Sequence, residues 1–374
     1  MQSKVNKNAK LKVMHVVYSF NTGGLEKLLL ELVKRFDADT FISSICCLTE
    51  KGELSKELTG IGIRSFYLNK KEGLDIFLPF KLAKLFKTER IDIVHTHDGT
   101  PNLYASIGAK IAGIKVNINT EHGKIYFDTT RKRFINKFLS LLNDRMVCVS
   151  NKVKEDLNEM GVSNSRLIVI NNGLDLGKFS FRIEIGKKRD DLGVGKDDFV
   201  IISVGRLSRE KNHTMLLEAA KYFIPEIPEA KIVIIGDGPY RGELEEYAKK
   251  IRISDKVLFL GTRQDVPEVL KASDCFVLCS NFESFGLVIL EAMMAEIPVI
   301  ATDAGGVGEI VKNKATGVLI RKNDVMALAK SIIEIRRNYA DYKSIALRAK
   351  ENVIKNYDIK KTVHDYESLY LSLR

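Results

Sequence analysis

The stretch that decides the fold is Asn281-Phe-Glu-Ser-Phe-Gly-Leu-Val-Ile-Leu-Glu291. The apolar run before it, Cys275–Cys279, predicts a buried strand, and the apolar residues of Leu287–Met294 predict a helix packed on a sheet. The stretch therefore spans a turn in which a strand leads into a helix. In open α/β sheets, turns at the carboxyl ends of strands are where ligands bind.

Two carboxylates and a glycine make this turn a candidate site. Glu283 lies in the turn, and Glu291 lies about one helical turn inside the helix. Gly286 leaves the backbone at the start of the helix bare, so free N–H groups and the positive helix end can meet an anion. Carboxylates accept hydrogen bonds and suit sugar hydroxyls. The alternative is that both glutamates are solvated residues at a helix start, where Glu is common.

Glu283 and Glu291, with seven residues between them and Phe285-Gly286 inside, resemble the E-x7-E motif of retaining GT-B glycosyltransferases. The nearest resemblance is to glycosyltransferase family 4. A pair of glutamates is weak evidence alone, so the rest of the chain has to decide. The resemblance implies the GT-B fold, in which two Rossmann-like α/β domains with doubly wound parallel sheets face each other across a cleft.

Length and composition fit that expectation. A chain of 374 residues is long enough for two domains, each with its own core. No apolar run approaches the roughly 20 residues of a membrane span, and Met1–Lys10 lacks the apolar segment of a secretory signal. The odd number and irregular spacing of the cysteines predict reduced core thiols of a cytoplasmic protein and no metal site. These are Cys46, Cys47, Cys148, Cys275 and Cys279.

The charge distribution is uneven. Residues 1–175 hold 27 Lys and Arg against 19 Asp and Glu, whereas the remainder holds 32 against 29. The first half is therefore expected to face an anionic partner or surface. No helix-turn-helix, zinc or aromatic RNA-binding pattern supports nucleic acid as that partner. Residues 131–142 form a basic amphipathic helix, which either packs normally with a solvated basic face or lies peripherally on anionic lipid.

In the first half, apolar strand-like runs alternate with helical patterns, which predicts a doubly wound parallel sheet. The first strand, Lys12–Tyr18, is followed by Gly23 and Gly24, whose bare backbone lets a ligand approach closely. Two later strands end in His95 and His97 and in His122. A single histidine at such a place is usually structural. Here three of the chain's six histidines lie at two strand ends, which favours a functional role for at least one of them.

In the second half, Phe199–Val204 predicts the first strand of another sheet, and Arg206 and Lys211 lie in the turn after it. An arginine fork and a lysine point charge can neutralise a diphosphate leaving group without a metal. The alternative is that they are solvated loop charges. Asp37-Ala-Asp39 matches the D-x-D string of metal-dependent transferases, but it follows a helix and is interpreted as chance.

The resemblance implies roles for these residues. Glu283, Arg206, Lys211 and His122 are expected to be catalytic, with His122 near the primary hydroxyl of the donor sugar. Asn172-Gly173 and Asp175 resemble the stretch that closes the first domain in the family. Further residues are expected to bind the donor, Thr262 and Arg263 at the uracil edge: Gly23, Gly24, Thr262, Arg263, Ser284, Phe285, Gly286, Leu287 and Glu291.

The resemblance also implies the domain order. An acceptor-side domain over 1–175 is followed by a linker over 176–197, a nucleotide-sugar domain over 198–355 and a helix over 356–374 that crosses back to the first domain.

The expected function is retaining, metal-independent transfer of a hexose from a nucleotide sugar, with UDP preferred. The acceptor is expected to be a glycan or lipid-linked saccharide of capsule, lipopolysaccharide or another cell-surface polysaccharide. The expected location is the cytoplasm, with possible peripheral contact at the inner face of the membrane, and no cofactor is expected. A nucleotide-sugar epimerase or hydrolase on the same fold, and an inactive nucleotide-sugar-binding protein, stay open as alternatives.

Overall fold

The computed structural model describes residues 10–21, 23–123 and 130–374, with only the backbone described for residues 130–134. The chain forms two compact units. Unit 1 comprises the residues up to Gly173 together with Ile359–Arg374, and unit 2 comprises Leu174–Asp358.

Thirteen strands are present in the described residues. They are β1 Leu11–Val17, β2 Phe41–Cys47, β3 Arg64–Tyr67, β4 Ile93–His97, β5 Val116–Glu121, β6 Arg145–Cys148, β7 Leu167–Val169, β8 Phe199–Val204, β9 Ala230–Ile235, β10 Val257–Phe259, β11 Cys275–Leu278, β12 Val299–Thr302 and β13 Val318–Ile320.

Helices connect the strands and cover the sheets. They are α1 Gly24–Val33, α2 Ser55–Gly60, α3 Leu78–Glu89, α4 Gly99–Ala112, α5 Thr130–Leu142, α6 Asn151–Glu159, α7 Ile185–Leu192, α8 His213–Phe223, α9 Arg241–Lys250, α10 Val266–Lys271, α11 Leu287–Met294, α12 Val307–Ile310, α13 Val325–Arg337, α14 Tyr339–Asn356 and α15 Ile359–Ser372.

Unit 1 is built on a seven-stranded parallel sheet in the order β3-β2-β1-β4-β5-β6-β7. The central strands β1 and β4 are buried almost throughout, as expected for the middle strands of a parallel sheet that helices cover on both faces. The strand order reverses between β1 and β4, so the carboxyl ends of these two strands form the switch point at which α/β sheets open a crevice.

The helices of unit 1 bury their apolar faces on this sheet. From α3 and α4, Leu82, Phe86 and Tyr104 pack in one core with Met14 and Val16 of β1. The carboxyl-terminal helix α15 packs with α1, and its Tyr366 and Tyr370 side chains are buried. The last helix is therefore an integral part of unit 1.

Unit 2 has a six-stranded parallel sheet in the order β10-β9-β8-β11-β12-β13. Its order reverses between β8 and β11, the strands that precede Arg206 and Glu283. The predicted doubly wound parallel sheets are thus confirmed in both units. The edge strand β13, only three residues long, was not predicted, because so short a run has no period to recognise.

Residues 176–197, predicted as the linker, contain α7 and lie in unit 2. The buried Arg189 anchors this helix. Its guanidinium donates to the Asp274 carboxylate at 2.7 Å and to the Ala272 carbonyl at 3.0 Å.

All five thiols are unpaired and buried. Burial, with some contribution from nearby Glu26 and Glu121 respectively, raises the pKa of Cys47 and of Cys148 to about 12. These thiols are therefore inert core groups. Across the described residues, no helix is both long and apolar enough to cross a membrane.

Candidate functional site

The predicted site residues fall into two groups, one in each unit. In unit 2, the group forms around the carboxyl ends of β8 and β11. Glu283 follows β11, and its Oε1 accepts hydrogen bonds from the Lys211 ammonium and, at 3.1 Å, from the Ser280 hydroxyl. The Glu283 side chain is 11% exposed and that of Lys211 26%, so the ion pair is largely withdrawn from water.

This pairing leaves both partners with unused capacity. A lysine has three N–H donors, and Glu283 takes one of them. Among the described residues, no donor is bonded to the second oxygen of Glu283. The pair can therefore offer N–H donors to an anion and a carboxylate oxygen to a hydroxyl at adjacent positions.

Backbone contacts hold the two turns together. The Asn281 amide donates to the Glu210 carbonyl at 2.7 Å, and its side chain donates to the Arg209 carbonyl at 3.2 Å. The turn after β8 is thus fastened to the turn after β11. The meeting of Lys211 and Glu283 follows from the adjacency of these two strands.

Arg206 lies in the same turn and is exposed. In the described part of the chain, its guanidinium has no hydrogen-bonding or ionic partner. With Lys211 it supplies the cationic end of the site. His213, which follows this turn, is buried; burial and the Lys211 charge lower its pKa to about 4, so it is neutral.

Two glycines shape the backbone around Glu283. Gly286 has φ of 96° at the start of α11, where no side chain caps the helix. Gly305, after β12, has φ of 64°, and a Cβ there would lie 2.0 Å from the Glu283 carbonyl oxygen. That oxygen accepts a hydrogen bond from the Gly306 amide at 2.8 Å. The 305–306 turn therefore supports the Glu283 backbone directly.

The other predicted donor-binding residues of unit 2 differ in access. Ser284 and Phe285 are buried, and the Phe285 ring packs against Tyr357 at 5.7 Å, so their side chains do not line a surface. Leu287 and Glu291 are half-buried in α11, and Thr262 is exposed. The Arg263 guanidinium forms an ion pair with the Asp265 carboxylate at 2.6 Å. The same carboxylate also pairs with the Lys188 ammonium at 2.8 Å.

In unit 1, His122 follows β5 and is the end of a chain of three histidines. Its Nε2 lies 3.1 Å from Nδ1 of His97, and Nε2 of His97 lies 3.1 Å from Nδ1 of His15. Sequence reasoning missed His15. Its position in β1, opposite His95 of β4, becomes meaningful only once the two strands pair.

The chain of hydrogen bonds determines the tautomers. Nε2 of His15 is buried with no hydrogen-bond partner. A buried N–H group without an acceptor costs more free energy than a buried acceptor nitrogen without a donor. The proton of His15 therefore belongs on Nδ1. His15 then donates to His97, and His97 donates to Nε2 of His122. His122 is left with its proton on Nδ1, which has no hydrogen-bond acceptor among the described residues and can donate to a ligand.

His95 is separate from this chain. Its ring nitrogens bond the Tyr370 hydroxyl and the Thr120 hydroxyl, each at 2.7 Å. Ring nitrogens of His15, His95 and His97 lie within 4.8 Å of one another, but both nitrogens of His95 already have partners. The cluster is therefore a hydrogen-bonded core in which His95 is structural.

Asp98 is the functional candidate that sequence reasoning missed in unit 1. Its Oδ1 accepts hydrogen bonds from the backbone amides of His122 at 2.7 Å and Gly123 at 2.9 Å. Its φ of 67° and ψ of 172° lie in a region that is almost restricted to glycine. Strain of this kind persists where the surrounding structure enforces it, and here it aims the carboxylate at the turn of His122.

Two further carboxylates lie near Asp98. Burial, and then the charge of Asp98, raise the pKa of Glu121 well above its usual value, and burial raises that of Glu26. A Cβ on Gly23 would lie 2.3 Å from Glu26 Oε2, so Gly23 makes room for this carboxyl group. Gly24 is exposed and has open space around it. The two glycines of the predicted pair therefore differ, since only Gly23 is required by a neighbouring side chain.

Comparisons with known proteins agree with the fold and identify the family. Residues 22–178 match the model of Glycosyltransferase Family 4, and residues 184–352 match that of Glycosyl transferases group 1. The chain is 31% identical over 98% of both chains to the UDP-Gal:alpha-D-GlcNAc-diphosphoundecaprenol alpha-1,3-galactosyltransferase of Escherichia coli. It is 28% identical to the N-acetyl-alpha-D-glucosaminyl L-malate synthase of Bacillus anthracis, over 79% of this chain and 78% of that one.

Among solved structures, the chain resembles the Anabaena protein HepE in complex with UDP and glucose. The TM-score is 0.87 at 22% identity, over 97% of this chain and 100% of that one. Both predicted domains thus have counterparts in one GT-B protein. The chain belongs to glycosyltransferase family 4 and is a glycosyltransferase with two Rossmann-like units of the GT-B fold.

Proposed function

We propose that this glycosyltransferase moves a hexose from a UDP-sugar to a lipid-linked saccharide, with retention of the anomeric configuration and without a metal ion. The observation that carries the proposal is the Lys211–Glu283 pair beside the exposed Arg206 in unit 2. It supplies cations for a leaving diphosphate and a carboxylate for sugar hydroxyls.

In the proposed reaction, the bond between the anomeric carbon and the diphosphate oxygen breaks, and its electron pair passes to the phosphate. Arg206 and Lys211 stabilise that developing charge. The acceptor hydroxyl attacks the same face of the sugar, and its proton goes to the leaving phosphate. Glu283 orients sugar hydroxyls and Glu291 the ribose, so neither acts as a general base.

The substrates are proposed from the relatives. The Escherichia coli relative is named for a UDP-galactose donor and a diphosphoundecaprenol-linked acceptor, and it matches almost the whole chain. HepE was crystallised with UDP and glucose. We extend the UDP-sugar and the lipid-linked acceptor to this chain, within synthesis of a cell-surface polysaccharide such as capsule or lipopolysaccharide.

If the acceptor is lipid-linked, the transfer takes place at the cytoplasmic face of a membrane. The predicted basic helix over 131–142 is α5, whose first five side chains lie outside the described part. Within it, Phe138 and Leu141 are 49% and 59% exposed rather than packed. Their exposure supports peripheral contact of this helix with anionic lipid.

The first test is a thermal-shift panel of UDP, GDP, ADP and UDP-hexoses, with and without magnesium. A ligand of the folded state raises the midpoint by mass action. We expect UDP and one UDP-hexose to raise it equally with magnesium or chelator. A response to GDP or ADP alone would correct the base, and no response to any of them would refute the donor site in unit 2.

The second test is turnover. Glu283→Ala and Lys211→Ala are each expected to lower turnover by roughly 10²-fold or more, because each removes a charge aimed at the reacting groups. The thermal midpoints of the two variants should change far less than their turnover does. Lys330→Ala, on the exposed face of α13, serves as the control. Unchanged turnover in either variant would refute the site. The anomeric configuration of the product, read by NMR, decides retention.

A further inference from the structure

Four large apolar side chains of unit 1 are unusually exposed. Leu74, Ile76, Phe77 and Phe80 are 73%, 63%, 62% and 61% exposed, more than any other large apolar side chain in the described part of the chain. They lie within seven consecutive residues at the start of α3. We call these four residues the apolar patch. A contiguous exposed patch of this kind marks an interaction surface.

The patch continues into a groove between α3 and α4. The groove has a volume of about 270 Å³ and is walled by Pro79, Leu103 and Ile107, with Ile111 at 43% exposure on its edge. Apolar surface thus extends from the tip of the loop onto a second helix.

Buried polar contacts hold the loop in this shape. Asp75 is 3% exposed, and its carboxylate accepts hydrogen bonds from the amides of Lys71 and Phe77, each at 3.2 Å. Its own amide donates to the Tyr104 hydroxyl at 3.1 Å. The Lys70 ammonium bonds the carbonyls of Lys71 at 2.8 Å and Gly73 at 2.6 Å. The apolar side chains are therefore displayed by an ordered loop.

Exposed lysines accompany the patch along the chain. Lys71, Lys81, Lys84 and Lys110 are exposed on the same loop and the two helices, against a single exposed acid within the loop, Glu72. A protein interface is depleted of lysine near its apolar centre, whereas an apolar surface with lysines on the same loop and helices complements the surface of an anionic bilayer.

We propose that the apolar patch inserts into the boundary between headgroups and acyl chains of an anionic membrane, with the lysines of the same loop and helices on lipid phosphates. The inference rests on the proposed lipid-linked acceptor and identifies the surface through which the enzyme reaches it. Because α4 packs against both α3 and α5, the patch and the exposed Phe138 and Leu141 lie on neighbouring helices of unit 1.

The test is co-sedimentation of the full chain with vesicles of phosphatidylglycerol and phosphatidylcholine, or of phosphatidylcholine alone. Binding is expected only to the anionic vesicles. The variant with Leu74→Ser, Ile76→Ser, Phe77→Ser and Phe80→Ser should lower it by about tenfold or more, since apolar burial drives interfacial binding. The matched control, Ile185→Ser with Leu347→Ser and Ile354→Ser, removes three exposed apolar side chains of unit 2 and should bind as the wild type does.

Three results would overturn the proposal. One is unchanged vesicle binding by the four-serine variant while Phe138→Ser with Leu141→Ser abolishes it. Another is a wild-type dimer that the four-serine variant converts to monomer, which would make the patch a self-association surface. The third is equal binding of the wild type to both kinds of vesicle.

The same samples separate this proposal from the proposed function. The four-serine variant should keep the UDP thermal shift of the wild type, because the patch is not part of the donor site. Loss of vesicle binding with an intact UDP shift supports the membrane surface. A wild type that binds vesicles but shows no shift with UDP would instead refute the donor assignment and leave the membrane surface standing.

Discussion

Asp98, at the end of β4, combines a strained backbone with hydrogen bonds to the turn that bears His122. Its backbone lies in a region that costs about 1–3 kcal/mol for a residue with a side chain. In return, its carboxylate holds two successive amides of the turn that bears His122. Strain and hydrogen bonding therefore act on the same few atoms, and substitution can separate them.

We expect Asp98→Ala to lower turnover by roughly tenfold or more, because the backbone of the His122 turn loses its acceptor and the His122 ring loses its fixed position. Asp98→Gly should have the same catalytic defect, yet be more stable than Asp98→Ala, since glycine relieves the strain. Asp98→Asn keeps an acceptor oxygen and should retain most activity. Kinetics and thermal unfolding of the three variants check this. Equal stability of the alanine and glycine variants would contradict the strain.

The histidine chain makes a second prediction at this scale. His122 should carry its proton on Nδ1, because the buried Nε2 of His15 cannot donate. Selective ¹⁵N labelling of the six histidines and long-range ¹H–¹⁵N correlation distinguish the tautomers. In His97→Phe, His122 loses the donor that selects its tautomer, and a mixture is expected. Protonation of His122 on Nε2 in the wild type would reverse the direction of the chain.

At the scale of elements, the candidate site of unit 2 is made of turns that support one another. The turn after β11 presents Glu283, the turn after β8 presents Lys211, and the turn after β12 lies under the Glu283 backbone. Parallel strands bring these turns to one edge of the sheet. The position of the carboxylate thus depends on a glycine turn more than 20 residues further along the chain.

Gly305→Ala tests this dependence. The added Cβ would lie 2.0 Å from the Glu283 carbonyl oxygen, and alanine also strains a backbone with φ of 64°. The Glu283 turn must therefore move, and we expect a loss of turnover of about 10²-fold from misplacement. Gly242→Ala in α9, which has open space, is the matched control and should be neutral or slightly stabilising. Wild-type turnover in Gly305→Ala would show that this turn does not support the site.

On the scale of the whole molecule, unit 1 keeps several histidines uncharged. Burial lowers the pKa of His15 from 6.5 to about 3, and it lowers those of His95 and His97 well below their usual value. Below pH 6.5, these histidines therefore bind protons in the unfolded chain but stay uncharged in the folded chain. Unit 1 therefore loses stability as the pH falls from 6.5 towards 3, by up to about 1.4 kcal/mol per pH unit for each histidine.

Glu121 acts in the opposite sense, because its raised pKa means that the folded state holds a proton and loses stability as the pH rises above about 4.5. The contribution of His15 can be isolated by substitution. We expect the opening free energy of the β1 and β4 amides, from hydrogen exchange at pH 6.5 and 4.5, to fall about 2 kcal/mol less in His15→Phe than in the wild type. An identical fall in both proteins would mean that His15 is not buried uncharged.

Much of the architecture follows from the sequence alone. Continuous apolar runs, glycine turns and helical periodicity are local signals, and they were sufficient for two doubly wound parallel sheets and for the helix over Leu287–Met294. The family followed from the order of the motifs along the chain. The strand β13 and the helix inside residues 176–197 escaped, since β13 has only three residues and α7 is dominated by charged residues, so neither has a clear apolar period.

The sequence by itself determined which residues stand at the ends of strands, because that depends on local apolar and turn patterns. Only the tertiary structure decided which of them meet. Lys211 and Glu283 are 72 positions apart, and His15 and His97 are 82 apart, so their contacts depend on the order of the strands within each sheet. That order is decided by the burial of whole elements against one another. The same long-range packing imposes the strain of Asp98, which no local pattern in the chain records.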